Sequence, residues 1–310
     1  MEYQLIECKT LLHHHDTGYL PYHWDVNIYR GCAHSCPYCF ARYSHEYLGY
    51  RDPFDFEQKI LVKVNAPQVL DRELASPKWR GELVDLSGVS DPYQPAEKKF
   101  GLTRQVLEVM LKHRNPTILG TKSDLILRDL DLLSRLSKTT FCCVAVTITT
   151  LNEGLRKQLE PFSPPTSRRV ALLKKLKEAG VKTGLLATPI FPYLTDNQHS
   201  LEDLVRTAAE CEVDFFVAGV LSLKPSARQR FLPFLRQQFP GLYSKYHQLY
   251  KGWSAPKEYS RGVYERVWLL QEKYGVRHEI QWPQGTGPQM RQMSLFEENG
   301  QWQIQTSGSG

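Results

Sequence analysis

No stretch of the 310-residue chain comes near the ~20 consecutive apolar residues that a membrane-spanning helix requires, so a membrane partner is not expected. The start, Met1-Glu2-Tyr3-Gln4, has no basic segment followed by an apolar run, and it reads as carrying no secretory signal. Cysteine is scarce and odd in number: the seven residues show no framework spacing, which argues against a disulfide scaffold. A reduced, cytoplasmic protein is the expectation. What the chain does have is 41% hydrophobic residues, enough for one large core or for a barrel with a tail.

Three of the cysteines are concentrated in the run Tyr29-Arg30-Gly31-Cys32-Ala33-His34-Ser35-Cys36-Pro37-Tyr38-Cys39-Phe40. The three-then-two spacing lets one short loop aim three thiolates inward. A cubane iron–sulfur cluster ordinarily takes four cysteines, so three would leave one iron open to a substrate or cofactor. A zinc site with His34 as fourth ligand fits the same residues, and so does a set of unligated core thiols. Of the others, adjacent Cys142 and Cys143 open an apolar run and read as small buried hydrophobes, although with Tyr38 they are also candidates for reactive groups.

Short β-rich runs alternate with longer helical ones. Strands are expected at residues 25–29, 82–87, 116–120, 141–149, 181–188 and 214–220. Helices are expected at 68–75, 103–113, 125–137, 167–179 and 201–211. Leu172, Leu173 and Leu176 recur at helical spacing, and Gly180 follows as a stop. Repeated strand–helix units imply a parallel sheet with right-handed crossovers, either a barrel or an open doubly wound sheet. In barrels the loops after the strands form the active face, and the cysteine loop follows the first strand.

The cysteine run, with an aromatic residue before its last cysteine, resembles the signature of the radical S-adenosylmethionine (radical SAM) superfamily. That resemblance implies an α/β fold with a partial (β/α)6 barrel, and a 4Fe-4S cluster on Cys32, Cys36 and Cys39. It also implies S-adenosylmethionine on the open iron, a 5′-deoxyadenosyl radical, and an electron donor such as flavodoxin or ferredoxin. Ser87-Gly88-Val89-Ser90-Asp91-Pro92 after the second strand and Thr121-Lys122-Ser123 after the third resemble the spore photoproduct lyase-like branch. The phrases Tyr93-Gln94-Pro95-Ala96-Glu97 and Leu127-Arg128-Asp129-Leu130 strengthen the likeness. By it, Ser90 and Lys122 hold the cofactor, and Tyr38, Ala187 and Arg168 join the cofactor site, Tyr38 also being a catalytic candidate. A lysine can pair with the methionine carboxylate; on composition alone Ser90 reads equally as a turn residue and Lys122 as a solvated one. Two departures stand out. The lyase carries a hydrogen-donating cysteine two residues before the serine, where this chain has Gly88, and a tyrosine after the last cluster cysteine, where this chain has Phe40.

Beyond a short N-terminal segment (1–22) and the barrel (23–222), residues 223–282 read as a basic, aromatic helical extension. From Lys224 to Glu279 there are eleven Lys and Arg against four Asp and Glu, a net +7, where the whole chain carries +6. Aromatics are interleaved from Phe231 to Trp268. Cations that neutralise phosphate and rings that stack on bases make a nucleic-acid surface, and the same pattern also suits an amphipathic cover for the barrel. Residues 283–310 read as a flexible tail ending in the linker-like Ser307-Gly308-Ser309-Gly310. Within it Gln292-Met293-Ser294-Leu295-Phe296 resembles the peptide by which bacterial repair proteins dock on the DNA sliding clamp, Leu295 and Phe296 filling a pocket and Gln292 adding hydrogen bonds. His13-His14-His15 has no i,i+4 pairing and reads as a solvated turn.

Three functions stay open: a radical enzyme acting on a DNA or other nucleic-acid lesion or modified nucleotide, a radical enzyme modifying a peptide or protein, and a non-enzymatic, clamp-associated DNA-binding iron–sulfur protein.

Overall fold

A computed structural model describes residues 1–15 and 22–280, together with the backbone of 292–298 and 301–305. Among the described residues ten strands precede the extension: β1 (Glu2–Ile6), β2 (Leu12–His14), β3 (Trp24–Val26), β4 (Tyr29–Arg30), β5 (Lys59–Lys63), β6 (Val84–Leu86), β7 (Thr117–Thr121), β8 (Cys142–Thr147), β9 (Lys182–Ile190) and β10 (Phe215–Val220). The main sheet runs β10-β9-β8-β7-β6-β3-β2. Its six strands from β3 to β10 pair in parallel with sequential neighbours, and only β2 runs antiparallel, against β3. Sequential parallel order with helical crossovers is that of the expected partial barrel, and an open doubly wound sheet would instead reverse strand order part-way.

The expected elements fall within a few residues of the observed ones: Ala66–Leu74, Leu102–Lys112, Thr166–Glu178 and Gln198–Glu210 are the helices. Their apolar faces cover the outside of the sheet in one core with Val84, Leu86, Val144 and Val146. The helix expected at 125–137 is divided, a 3-10 segment Asp124–Asp129 leading into an α-helix Leu130–Thr139. Gly184 lies under the ring of Phe215, whose carbon would stand 2.0 Å from any added Cβ.

Three departures concern regions without a periodic signal. β1 pairs in parallel with β5, and β5 antiparallel with β4, in a small second sheet under the cysteine loop. The histidine run is no turn: His13 and His14 lie in β2, held by register to Asp25 and Trp24. In the tail, Gln292–Glu298 pairs antiparallel with Gln301–Gln305, while the side chains of Gln292, Leu295 and Phe296 lie outside the described residues. The extension is helical as expected, with helices Pro225–Gln238, Pro240–Leu249 and Lys257–Tyr274. Phe231, Tyr246 and Tyr250 form part of a second core with Tyr38 and Phe191. No helix among the described residues is long and apolar enough to cross a membrane.

Candidate active site

Gly31 opens the cysteine loop at φ +82°, and a Cβ there would stand 2.7 Å from the Phe56 carbonyl, so only glycine lets the chain turn this closely over β5. The loop then coils through short backbone bonds: Cys32 N to Phe56 O at 2.9 Å, Ser35 N to Cys32 O at 3.3 Å and Cys39 N to Cys36 O at 3.2 Å. Arg42, itself buried, donates to Cys36 O at 2.8 Å and to Pro53 O at 2.6 Å and pairs with Glu57. Cys32 and Cys36 are buried, and Cys39 is half-buried.

Two residues after β6 tie that loop to the strand ends. Gln94, fully buried, accepts from Ala33 N at 2.9 Å and donates to Gly31 O at 2.8 Å. Asp91 accepts from Thr121 Oγ1 at 2.7 Å, Lys122 N at 2.8 Å and Tyr93 N at 2.9 Å, and lies within ion-pair reach of His34 Nε2 at 3.3 Å. Burial pushes the Asp91 carboxyl up, but His34 and these donors outweigh it and hold the group at about 2. Asp91 thus joins the cysteine loop to the β7 loop. Gln94 and Asp91 lie in phrases that resemble the family, but their bridging role is not readable in the sequence, because their partners lie about 30 to 60 positions away.

Ser90 sits in the same turn. Its Oγ is 3.2 Å from Ser87 Oγ and 3.4 Å from Gln94 Nε2. Lys122 projects over the Tyr38 ring at 5.9 Å. Burial works against its charge, yet Cys36 and Glu160 beside it carry its pKa upward. Tyr38 donates to Glu160 and packs edge-on against Phe191 at 4.9 Å. Glu160 is fully buried, and Arg169 answers it at 2.5 Å, with Thr149 Oγ1 donating at 3.1 Å. Burial alone would raise Glu160, and Arg169 and Lys122 bring it below the usual range.

Ala187 is fully buried on β9 opposite Ala218. Arg168 stays at the rim, its side chain 65% exposed and paired with Asp124 just beyond the Lys122 loop. Its neighbour Arg169 is the inward-facing arginine. Cys142 and Cys143 are buried strand residues, and burial pushes the Cys142 thiol to about 12.

On β3 and β6 themselves lies a different polar group. Asp25 on β3 and Asp85 on β6 are register partners, on the face shared with Ile118 and Cys143. Asn27 donates to Asp25 at 2.7 Å and Tyr22 to Asp85 at 3.2 Å, while His13 and His15 stand 3.8 Å from Asp25. Burial and the Asp25 charge push Asp85 up to about 7. A Cβ on Gly88 would lie 3.5 Å from Asp25 Oδ2 and 3.6 Å from Asp85 Oδ2.

These geometries separate the metal readings. A mononuclear zinc site requires donors converging on one ion, and among the described residues no three His, Cys, Asp or Glu side chains do so. His34 is also committed, Nδ1 to Phe162 O at 3.2 Å and Nε2 toward Asp91. Three thiols spread around one loop suit a cluster that takes one cysteine per iron. As free thiols, Cys32 and Cys36 are held protonated, Cys36 at about 12 by burial with Lys122 pulling the other way. Ligation requires the thiolate, so the Lys122 charge favours the bound form.

A family model described as the radical SAM superfamily matches residues 26–208, more than half of the chain. The chain belongs to the radical SAM superfamily. Members of this superfamily use a 4Fe-4S cluster and S-adenosylmethionine, and the three-cysteine loop fits that pair. An uncharacterized protein of Mycobacterium tuberculosis (strain H37Rv) is 34% identical over 269 residues, 86% of this chain and 79% of the relative. An uncharacterized protein of Methanocaldococcus jannaschii is 34% identical over 218 residues, 70% and 77% of the two chains. The fold is that of spore photoproduct lyase. A double mutant of that lyase with bound AdoMet and dinucleoside spore photoproduct has a TM-score of 0.66 at 14% identity, covering 88% of this chain and 79% of the lyase. A single mutant gives 0.66 at 15%, with 90% and 82% covered.

Proposed function

We propose that this radical SAM enzyme acts on a damaged or modified nucleotide of DNA. When bound and reduced, the cluster and S-adenosylmethionine supply a 5′-deoxyadenosyl radical that takes a hydrogen atom from substrate. The chain's own residues hold and orient. Cys32, Cys36 and Cys39 provide the thiolates, Lys122 provides a cation for a carboxylate, and Ser90 offers a hydroxyl beside it. Gln94 and Asp91 keep those elements in fixed register. Tyr38, Ala187 and Arg168 are proposed to complete the cofactor site. Tyr38 would do so as packing beneath Lys122, since its hydroxyl is occupied by Glu160.

The observation that carries the nucleic-acid reading is the extension, a net +7 segment that buries some of its rings and leaves Trp253 57% and Trp268 39% exposed. A mere cover for the barrel would turn its large rings inward. The dinucleoside bound to the lyase that shares this fold adds support. Flavodoxin or ferredoxin is the proposed electron donor. Gln292, Leu295 and Phe296 are proposed to dock on a sliding clamp, on the strength of the pentapeptide alone.

The test is 5′-deoxyadenosine formation by anaerobically reconstituted protein with dithionite. Duplex DNA should raise the rate, and ultraviolet-irradiated DNA should raise it further. Stimulation by a peptide pool with none by DNA would transfer the proposal to peptide modification. Iron–sulfur loading without any 5′-deoxyadenosine would leave the non-enzymatic DNA-binding reading.

A further inference from the structure

The chain leaving the last cysteine exposes its aromatic residues. Phe40, directly after Cys39, is 50% exposed, and Tyr47, one helical turn past Tyr43, is 81% exposed. Tyr43 links them, its ring centroid 6.4 Å from Phe40 and 6.0 Å from Tyr47. From the extension, Lys224 places its ammonium 4.6 Å from the Tyr43 ring and 5.9 Å from that of Trp253. The five side chains therefore form one contiguous patch that branches at Tyr43, with Lys224 between the Tyr43 and Trp253 rings, across the seam between cysteine loop and extension.

This exposure is not that of a loose turn. Trp253 O accepts from Leu223 N at 2.7 Å, and Arg228 binds Tyr250 O at 3.0 Å and Gly252 O at 3.2 Å, so the backbone under Trp253 is held on both sides. Large rings kept in water on a fixed backbone forfeit burial that the adjacent second core could have supplied. Exposed rings with a cation among them match a single strand, whose bases have π faces that stack on such rings and whose backbone has one charge per nucleotide. An acidic redox partner protein would use the cation and have little use for four rings.

We infer that Phe40, Tyr43, Tyr47, Lys224 and Trp253 form a docking surface for a single-stranded or locally unpaired nucleic-acid segment, beside the mouth of the cluster loop. The inference rests on the nucleic-acid reading above and gives that reading a location. The strand's bases stack on the exposed rings of this patch while Lys224 and the flanking Lys251 face its phosphates.

Fluorescence anisotropy of labelled oligo-dT with the reconstituted full chain tests it, alongside a duplex of equal length. Wild type should bind the single strand, with affinity falling as salt rises. Trp253→Ala and Tyr47→Ala, both at exposed positions that leave the cores intact, should each weaken binding by about tenfold, with Trp253→Phe restoring most of it. Lys224→Ala should lower the salt slope by about one. Wild-type binding undiminished in both ring variants overturns the surface and leaves the nucleic-acid reading standing. No binding of either oligonucleotide by wild type overturns that reading and the surface with it. Reduction by an acidic flavoprotein that slows in Trp253→Ala, with strand binding unchanged, would assign the patch to the electron donor instead.

Discussion

Two groups of carboxylates, one in the loops after the strands and one on β3 and β6 themselves, are treated differently. On the cysteine-loop side, Asp91 has three hydrogen-bond donors and a histidine, and Glu160 has an arginine, a threonine and a tyrosine. Both are held as anions below the usual range. On the β3–β6 side, Asp25 and Asp85 lie side by side with no lysine or arginine paired to them in the described structure, and Asp85 is pushed to about 7. A buried carboxylate matched by a cation and several donors fixes a scaffold, whereas a pair without a lysine or arginine keeps a proton more readily. The first group ties the cysteine loop to the loops after β7 and β8, and the second makes the sheet polar where the backbone at Gly88 carries no side chain.

The largest expected effect breaks the matched side. Arg169→Met leaves Glu160 buried without its cation and removes the bond to Thr147 O at 3.1 Å. Urea denaturation should show a loss of about 3–5 kcal/mol; a loss under ~1 kcal/mol would mean that Glu160 is neutral and the network misread.

The next sharpens the contrast, because the two sides should respond with opposite signs. A carboxyl whose folded pKa is raised contributes stability that is full below its unfolded value near 3.8 and is lost as pH rises through about 7. Asp85→Asn should therefore raise stability at pH 8 by about 2–4 kcal/mol and change it little at pH 4. Asp91, depressed to about 2, contributes stability above 3.8 that is lost as pH falls toward 2. Asp91→Asn should cost about 2 kcal/mol at pH 7. Chemical melts at both pH values check the pair, and the same sign for both at pH 8 would erase the distinction.

The smallest effect lies at the rim. Arg168→Ala breaks an exposed pair with Asp124 and should change stability by less than about 1 kcal/mol. Calorimetry with S-adenosylmethionine then reads its proposed cofactor role: unchanged affinity would remove Arg168 from the site.

What could be read in advance follows from the range of the interactions. Strand–helix alternation is local, so the order of the barrel was legible from periods of two and 3.6, as were the three cysteines, which lie within eight residues of one another. The burial of Cys142 and Cys143 follows from their place in an apolar strand. β1 was not legible as a strand of the second sheet, because its partner β5 begins 57 residues later and nothing local announces the pairing. The histidine run deceived because an edge strand with exposed side chains looks like a turn. Glu160 and Arg169 were silent, and Gln94 and Asp91 showed only as parts of family-like phrases, for a related reason: a buried polar residue is made necessary by partners that only the closed barrel brings near.

Gly88 carries one further consequence. Its backbone is not in the left-handed region, and an added Cβ would meet Asp25 and Asp85 at ordinary van der Waals distance. Nothing steric demands glycine here, so a small side chain could be placed at this position without disturbing the fold. The chain stands one codon change from a thiol at this spot, and two neighbouring carboxylates would keep that thiol protonated, with a hydrogen atom still to give. An evolutionary path between enzymes that return hydrogen from the protein and enzymes that do not could pass through this single position without disturbing the barrel.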